Sequence, residues 1–558
     1  MRNIITLKGS HRVALKGHRK GKELAPNTRL TATIQLETAA PLEVINGLIA
    51  EVKSGKRAPL TPAERIKVIG ANPTHVRALN AELRAAGINP VDRELHHRVH
   101  GNVPIEGTYA AFKRFSPGLE LRQYHKKGKT VIAREGELSV PEGLHITGFF
   151  GLDEREVAHT NYRIHKPKGK NRPHNVPTNA TSRDLAAIQG WDLSKVDAAV
   201  RFTAYISLGG DNIKINKDVA TVAARAKINT PAFPFIPVGG AKNGAYTDDA
   251  TVENTLDKHA QALLNPNGAV GCFQADNTDD AFASAGEAAC VHPGVKIRGV
   301  LVKLSGVSIS WGMGEVNNTP DSLDRWGRIG QSAQLGGIDF TAATGDNGPK
   351  DNTSAYTPDA PSCVPGIMGA AGIGMTVGDT AQFSAVDPDV IKAVIAKAIA
   401  GGVLSTFPWN DTAAGGGETG YGISAHFAPE AWEAALKIAV SAATGKAGHS
   451  ASMFADLAQP ASCAYIFYNG QWMEVGGTSH SAPFQIAKLT AIKTAFGIVL
   501  MLALAETHGA DMVDQITVGD DSDPYPALTT AVYNIMTGFG VLNQSKCEAV
   551  AKASKSAA

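Results

Sequence analysis

The sequence predicts an α/β protein: a parallel sheet with helices on both faces, preceded by a smaller α+β unit. Three observations carry this expectation. In the second half, apolar runs that end in Gly or polar residues alternate with helical patterns. In the first half, short β-rich runs and helix-like stretches mix without that alternation. The charge also divides, since residues 1–175 hold 30 Lys+Arg against 16 Asp+Glu and residues 176–558 hold 24 against 36. A chain of 558 residues is long enough for more than one domain, and two oppositely charged parts attract each other.

Taken in order, the run Leu30–Leu36 (LTATIQL) reads as a strand, and Thr61–Ile69 and Thr74–Ala86 read as helices. The α+β unit closes near Gly148–Gly151 and is expected to occupy residues 1–164. Residues 165–182, HKPKGKNRPHNVPTNATS, are basic, polar and Pro-bearing, the composition of an exposed linker and of a processing site. From residue 183 onward, VRFTAYISLGG, VGCFQA, VKLSGVSISWG and IDFTAATGDNG read as buried strands, with helices at Thr278–Cys290 and Pro320–Leu335 between them. Catalytic groups of such sheets gather at the carboxyl ends of the strands. The most apolar run, TAFGIVLMLALA at 494–505, is too short to span a bilayer and reads as a core helix.

Composition narrows the function. With 43% hydrophobic and 19% charged residues the chain has the balance of a soluble globular protein, so neither wholesale disorder nor a membrane protein is indicated. The basic half has neither a zinc pattern nor an aromatic-interleaved basic motif, which speaks against nucleic acid. The five cysteines lie far apart without a CxxC pair, which leaves buried thiols or a single bridge such as Cys272 to Cys290. The N-terminal stretch MRNIITLKGSHRVALKGHRKGK has no apolar core of the kind a secretory signal needs.

Four stretches carry candidate chemistry. In Thr251–Asp257 (TVENTLD), Glu253 and Asp257 stand four apart and so share one helix face. Ser308-Ile309-Ser310-Trp311-Gly312 is a strand end, and Thr344-Gly345-Asp346-Asn347-Gly348 puts an acid in a Gly-flanked turn after a buried strand. GGTSHSAPFQ at 476–485 feeds Ser479 from a small-residue turn into the first turn of a helix, a way to expose a nucleophile. Each has a plain structural reading as well: a solvated acid pair, a turn residue, a helix N-cap. Their joint order favours catalysis.

That order, ExxLD, SISWG, GD in a turn and GGTSxxxP, resembles the sedolisin family of serine-carboxyl peptidases, and its kumamolisin branch in particular. The resemblance runs through nearly the whole chain. It implies a subtilisin-like catalytic domain behind an activation prodomain that acts as an intramolecular inhibitor, a zymogen that processes itself, and an extracellular monomer that acts on polypeptides in acid without nucleic acid or membrane. It implies Ser479 as nucleophile, Glu253 as its base, Asp257 as the acid that orients Glu253, and Asp346 as oxyanion-hole donor. It implies substrate contacts at Ser310, Trp311, Gly312 and Asp359, where an ionised Asp359 would favour basic side chains. The chain departs from the branch at Ser207, where relatives carry a further Glu. Calcium is the cofactor the resemblance implies. Its site falls on Asp514, Gln515 and Asn534, where amides replace two acids; Asp520, Asp521 and Asp523 supply further carboxylates nearby.

The chemistry is coherent on its own terms. A glutamate near its ordinary pKa of about 4.3 is half ionised in mild acid, where an imidazole is protonated. An aspartic acid donates to an oxyanion only while it keeps its proton. Two other readings cover parts of the pattern: a subtilisin-type or esterase-like hydrolase with His480 as base, and a non-catalytic binding protein on the same fold. His480 follows Ser479 directly on a helix and so points away from it by about 100°. Eleven of the seventeen histidines lie in residues 1–175, and the charge division suggests that ion pairs hold the two parts together until acid neutralises the carboxylates.

Overall fold

A computed structural model describes residues 3–557 apart from 165–179, 247–248, 378–395, 398, 402, 413–415, 429–456, 463, 515 and 517–535. The linker at 165–179 and the acids at 520, 521 and 523 therefore lie outside the described residues.

The second part is built on a ten-stranded sheet. Its order is Phe235–Pro237, Ala269–Gln274, Phe202–Ser207, Leu304–Ile309, Asp339–Ala343, Met368–Val377, Leu457–Pro460, Val541–Leu542 and Val513–Asp514, with Val403–Pro408 paired to Met368–Val377. The first eight run parallel, and the last strand of the path and Val403–Pro408 are antiparallel. Phe202–Ser207 and Leu304–Ile309 are fully or almost fully buried, as β-rich apolar runs covered on both faces must be. The chain order reverses between these two strands, so a crevice opens at their carboxyl ends.

Helices Asp249–Ala262 and Thr478–Phe496 pack together on one face of this sheet. On the other lie Asp279–Val291, started by the Thr278 side chain accepting from Ala281 N–H, and Pro320–Gly336, with Pro at its first position. The expected core helix at 494–505 is divided instead. Thr478–Phe496 stops at Gly497, and Met501–Met512 leaves at 101° to it. No single helix among the described residues is long and apolar enough to cross a membrane. Cys272 and Cys290 are buried free thiols, so the bridge between them is not formed.

The first part has its own core, in which Ile34, Leu79, Leu83, Val103, Phe112 and Phe149 meet. Its four-stranded antiparallel sheet runs Asn89–Pro90, Asn102–Thr108, Arg29–Leu36 and Ile146–Phe150. Thr61 closes a capping box with Glu64 to start Pro62–Val68. This unit docks on Asp279–Val291 and Pro320–Gly336. Ile45, Ile49, Val52, Leu60, Ile69 and Val99 form one apolar cluster with Leu335, Leu500 and Ala503. Ion pairs add to it: Arg12 to Asp279 at 2.6 Å and Lys53 to Glu506 at 2.6 Å. Other hydrogen bonds reach across too, since Arg328 donates to the carbonyls of Leu36 (2.7 Å) and His100 (2.9 Å) and Asn102 donates to Glu287 at 2.8 Å.

The short helix Leu95–Val99 brings three histidines to this contact. Burial pushes His100 down to about 4 and His97 to about 3, and lowers His96 as well. Glu287 faces them and favours their charged forms, while Arg325 opposes charge on His96 and His97, and Arg65 and His96 oppose it on His100. Burial would raise Glu287, but Arg325 and His100 hold it at about 2, so it stays ionised in mild acid. Histidines whose pKa in the folded chain lies below the free value stabilise the folded chain at neutral pH. That contribution fades as pH falls from about 6.5 toward the folded values, because the free histidine takes up its proton first. Fully buried His100 alone is expected to remove roughly 2 kcal/mol between pH 7 and 4.5. Thermal unfolding of His100→Gln should accordingly show a flatter pH dependence than the parent chain, and an unchanged slope would exclude this linkage.

Candidate active site

The crevice at the carboxyl ends of Phe202–Ser207 and Leu304–Ile309 gathers the four candidate catalytic residues, all buried. Glu253 and Asp257 project from Asp249–Ala262, one helical turn apart. Ser479 sits in the first turn of Thr478–Phe496, and its Oγ donates to Glu253 Oε2 at 2.9 Å. Ser310 follows the strand Leu304–Ile309, with its Oγ 2.5 Å from Asp257 Oδ1 and 3.2 Å from the Ser479 carbonyl. One hydroxyl thus ties the second acid to the backbone of the serine. Glu253 Oε1 and Asp257 Oδ2 are buried without a hydrogen-bond partner.

Asp346 follows the strand Asp339–Ala343, and its Oδ1 accepts from Thr478 N–H (2.7 Å) and Thr478 Oγ (2.9 Å). Its Oδ2 is buried and unpartnered. Gly477, at φ 119°, precedes this turn. A Cβ there would overlap Asp346 Oδ2, so only glycine both adopts the backbone angle and lets the groups approach.

Desolvation governs the protonation of these acids. Burial first, then the charge of Asp257, raises Glu253 well above the ordinary carboxylate range, although the bond from Ser479 favours its ionised form. Burial likewise raises Asp257, against the bond from Ser310. Two such acids side by side hold a proton between them in mild acid. The expectation of a glutamate at its ordinary pKa is thereby corrected, because the carboxylates have left water entirely. Burial pushes Asp346 up to about 7, with Arg163 and the two Thr478 bonds opposing.

His480 is occupied elsewhere. Its Nδ1 faces the Pro460 carbonyl at 2.7 Å, its Nε2 faces Ser182 Oγ at 2.9 Å, and burial lowers its pKa to about 4. Ser207 donates to the Gly209 carbonyl at 2.8 Å and accepts from Asn212 Nδ2 at 3.1 Å. Asp514 lies exposed, bridged to Lys546 at 2.9 Å and bonded by Asn543 at 2.8 Å, while Gln515 and Asn534 fall outside the described residues. A calcium ion there would have to displace the lysine, and no group of three or more acids, histidines or cysteines suited to a metal occurs among the described residues.

The sequence reading did not anticipate what fills the crevice. Residues 159–164 cross it as an extended strand. His159 and Thr160 pair antiparallel with Gly312 and Trp311, and Arg163 and Ile164 pair antiparallel with Gly476 and Val475. Between the two pairings, Asn161 N–H donates to the Ser310 carbonyl at 3.2 Å, and the Asn161 carbonyl accepts from Ser479 N–H at 2.9 Å. That same carbonyl oxygen would overlap a Cβ on Gly477. Arg163 anchors the far side, donating to Asn347 Oδ1 at 2.5 Å. Gly312 and Trp311 therefore contribute main chain to an extended peptide, and Asp359 is buried beside Gly312 and Gly345. Nothing in the run HTNYRI marks it for this position, since the pairing depends on how the first part docks.

A serine aligned with buried carboxylates at the switch point of a parallel sheet, with an extended peptide across it, belongs to a serine peptidase on the subtilisin-like fold. No family model matches the sequence. Kumamolisin of Bacillus sp. (strain MN-32) is 28% identical over 408 residues, 71% of this chain and 67% of its own. Xanthomonalisin of Xanthomonas sp. (strain T-22) is 23% identical over 540 residues, 88% of this chain and 62% of its own. The chain thus spans about two thirds of the length of these relatives. The solved structure of Pseudomonas sedolisin, a serine-carboxyl proteinase complexed with two molecules of pseudo-iodotyrostatin, shares the fold at TM-score 0.53 and 18% identity, covering 68% of this chain and 99% of that one. The chain is thus similar in sequence to kumamolisin and xanthomonalisin, and it shares the fold of a sedolisin.

The position of Asp346 generates a pH prediction. A carboxyl group donates to an oxyanion only when protonated, so if Asp346 fills the oxyanion-hole role that the sequence suggests, peptide hydrolysis should decline as pH rises through about 7. Asp346→Asn keeps an N–H donor at every pH and should abolish that alkaline decline in kcat/KM. Asp346→Ala should lose about 10²–10³-fold. An alkaline decline that persists in Asp346→Asn assigns it to another group.

Proposed function

We propose that the chain is an acid-acting endopeptidase made as a zymogen, in which residues 1–164 are the activation prodomain, and that it first cuts its own Asn161–Tyr162 bond. Ser479 is the nucleophile, Glu253 the general base, Asp257 the acid that orients it and Asp346 the oxyanion donor. The observation that carries the reading is the hydrogen bond from Ser479 N–H to the Asn161 carbonyl at 2.9 Å, within a strand paired on both sides of the serine. A peptide so held is aligned for attack rather than merely adjacent.

In the reaction, Ser479 Oγ adds to the Asn161 carbonyl carbon as its proton passes to Glu253, which it already faces at 2.9 Å. The oxygen that gains charge is the one bonded to Ser479 N–H, and the free Oδ2 of protonated Asp346 lies on the same side, over Gly477. Glu253 returns the proton to the Tyr162 nitrogen as the C–N bond breaks, leaving Asn161 as an ester on Ser479. Water, activated by the same carboxylate, hydrolyses that ester. A proton on Asp257 keeps Glu253 ionised for this role and lets the pair work in acid. A later cut within 165–182 would trim the new N-terminus.

Incubated at about pH 4, the purified chain should separate into two fragments whose intact masses sum across the Asn161–Tyr162 bond. Ser479→Ala should stay whole at the same pH, and Glu253→Ala should slow cleavage by about 10²–10⁴-fold. Cleavage of isolated Ser479→Ala at the same rate as the parent chain would rule out this site.

A further inference from the structure

The crevice holds a second feature that the reading of Ser479 as nucleophile does not by itself require. The Asn161 side chain is fully buried, and its main chain is fixed by the bonds to Ser310 and Ser479. The pocket that receives it is closed off by Asp359. A Cβ on Gly312 would overlap Asp359 Oδ1, and one on Gly345 would stand 3.2 Å from Asp359 Oδ2, so the carboxyl spans the space between these two main-chain walls. Such a pocket is short.

Its polar inventory is unusual. Asn161 Nδ2 and Oδ1, both oxygens of Asp359 and Oδ2 of Asp351 are all buried without a hydrogen-bond partner of good geometry. The Asn161 amide nevertheless faces Asp359 closely enough to favour its ionised form. An amide offers two donors and an accepting oxygen, and a protonated carboxyl offers one donor and one acceptor, so the two groups are complementary in kind. An apolar side chain would leave the buried carboxyl unsatisfied, and a carboxylate would bring a further acid against Asp359, Asp351 and Asp346. Asp351 is turned toward the same space, with its Oδ1 held by Asn347 Nδ2 at 3.1 Å and facing His159 Nε2 at 3.5 Å.

We propose that this peptidase cuts polypeptides after asparagine, with Asp359 as the residue that recognises the side-chain amide. The inference rests on the proposed function and names its substrate class. Burial, with Asp351 and Asp346 nearby, raises Asp359 well above the ordinary carboxylate range. At acid pH it is therefore a neutral hydrogen-bonding group rather than a fixed anion. Basic side chains, the other expectation, require an ionised Asp359.

The test uses a set of peptides carrying the chain's own residues 158–164 and differing only at the position of Asn161, which is Asn, Gln, Ala, Leu, Lys or Asp. They are digested at acid pH by the parent enzyme, Asp359→Asn and Asp359→Leu. In the parent, kcat/KM for the Asn peptide should exceed that for Ala, Leu, Lys and Asp by about tenfold or more, since a site built to bond an amide rejects side chains that leave its polar groups unpaired. Asp359→Asn keeps a donor and an acceptor and should retain the preference, whereas Asp359→Leu should shift it toward Leu. Faster cleavage after Leu or Lys than after Asn by the parent overturns the proposal, as does a preference for Asn that survives in Asp359→Leu. Cleavage of none of the peptides overturns the peptidase reading itself.

Discussion

Burying carboxyl groups is the constraint on which this molecule turns. Glu253, Asp257, Asp346 and Asp359 all lie beneath the surface at one end of a parallel sheet. Charge placed there without a cation is expensive, so Asp346, Asp359 and the Glu253–Asp257 pair as a unit hold protons at pH values where solvated acids would have lost them. In the proposed account, the same desolvation that makes Glu253 a stronger base makes Asp346 a donor. One physical effect thus accounts for two opposite chemical roles, and the difference between them comes from partners. Glu253 receives a hydroxyl hydrogen bond from Ser479, whereas Asp346 has one oxygen occupied by Thr478 and the other free.

Much of this arrangement was legible in the sequence. The spacing of Glu253 and Asp257 fixes both on one helix face, the apolar runs mark the buried strands, and the small-residue turn before Ser479 marks a helix start. Those are local properties, and local patterns survive folding when the core agrees with them. The break at Gly497 was hidden because the apolar run continues through it, and periodicity does not distinguish one core helix from two short ones. Asn161, Arg163 and Asp351 were not legible, because their meaning comes from pairings between strands more than a hundred residues apart. The charge division suggested an electrostatic contact. The contact includes ion pairs but is built around an apolar cluster, since net charge constrains attraction and says little about what packs.

The two parts of the chain also meet in this crevice. Docking of residues 3–164 on Asp279–Val291 and Pro320–Gly336 determines where the strand 159–164 emerges, and that strand lies across the crevice. In the proposed account, the strand is both plug and first substrate. Acid then acts twice: it protonates the buried histidines of Leu95–Val99 and so destabilises the folded chain, and it keeps Asp346 protonated.

The central claim is that each molecule presents its own Asn161–Tyr162 bond to its own Ser479. The most direct measurement is the rate constant of self-cleavage in acid across a wide dilution series, with the cut located by fragment mass. Attack within the molecule predicts a first-order rate constant that does not change with concentration and a single initial cut after Asn161. A rate constant that falls in proportion to dilution, or a first cut elsewhere in the chain, would contradict the account.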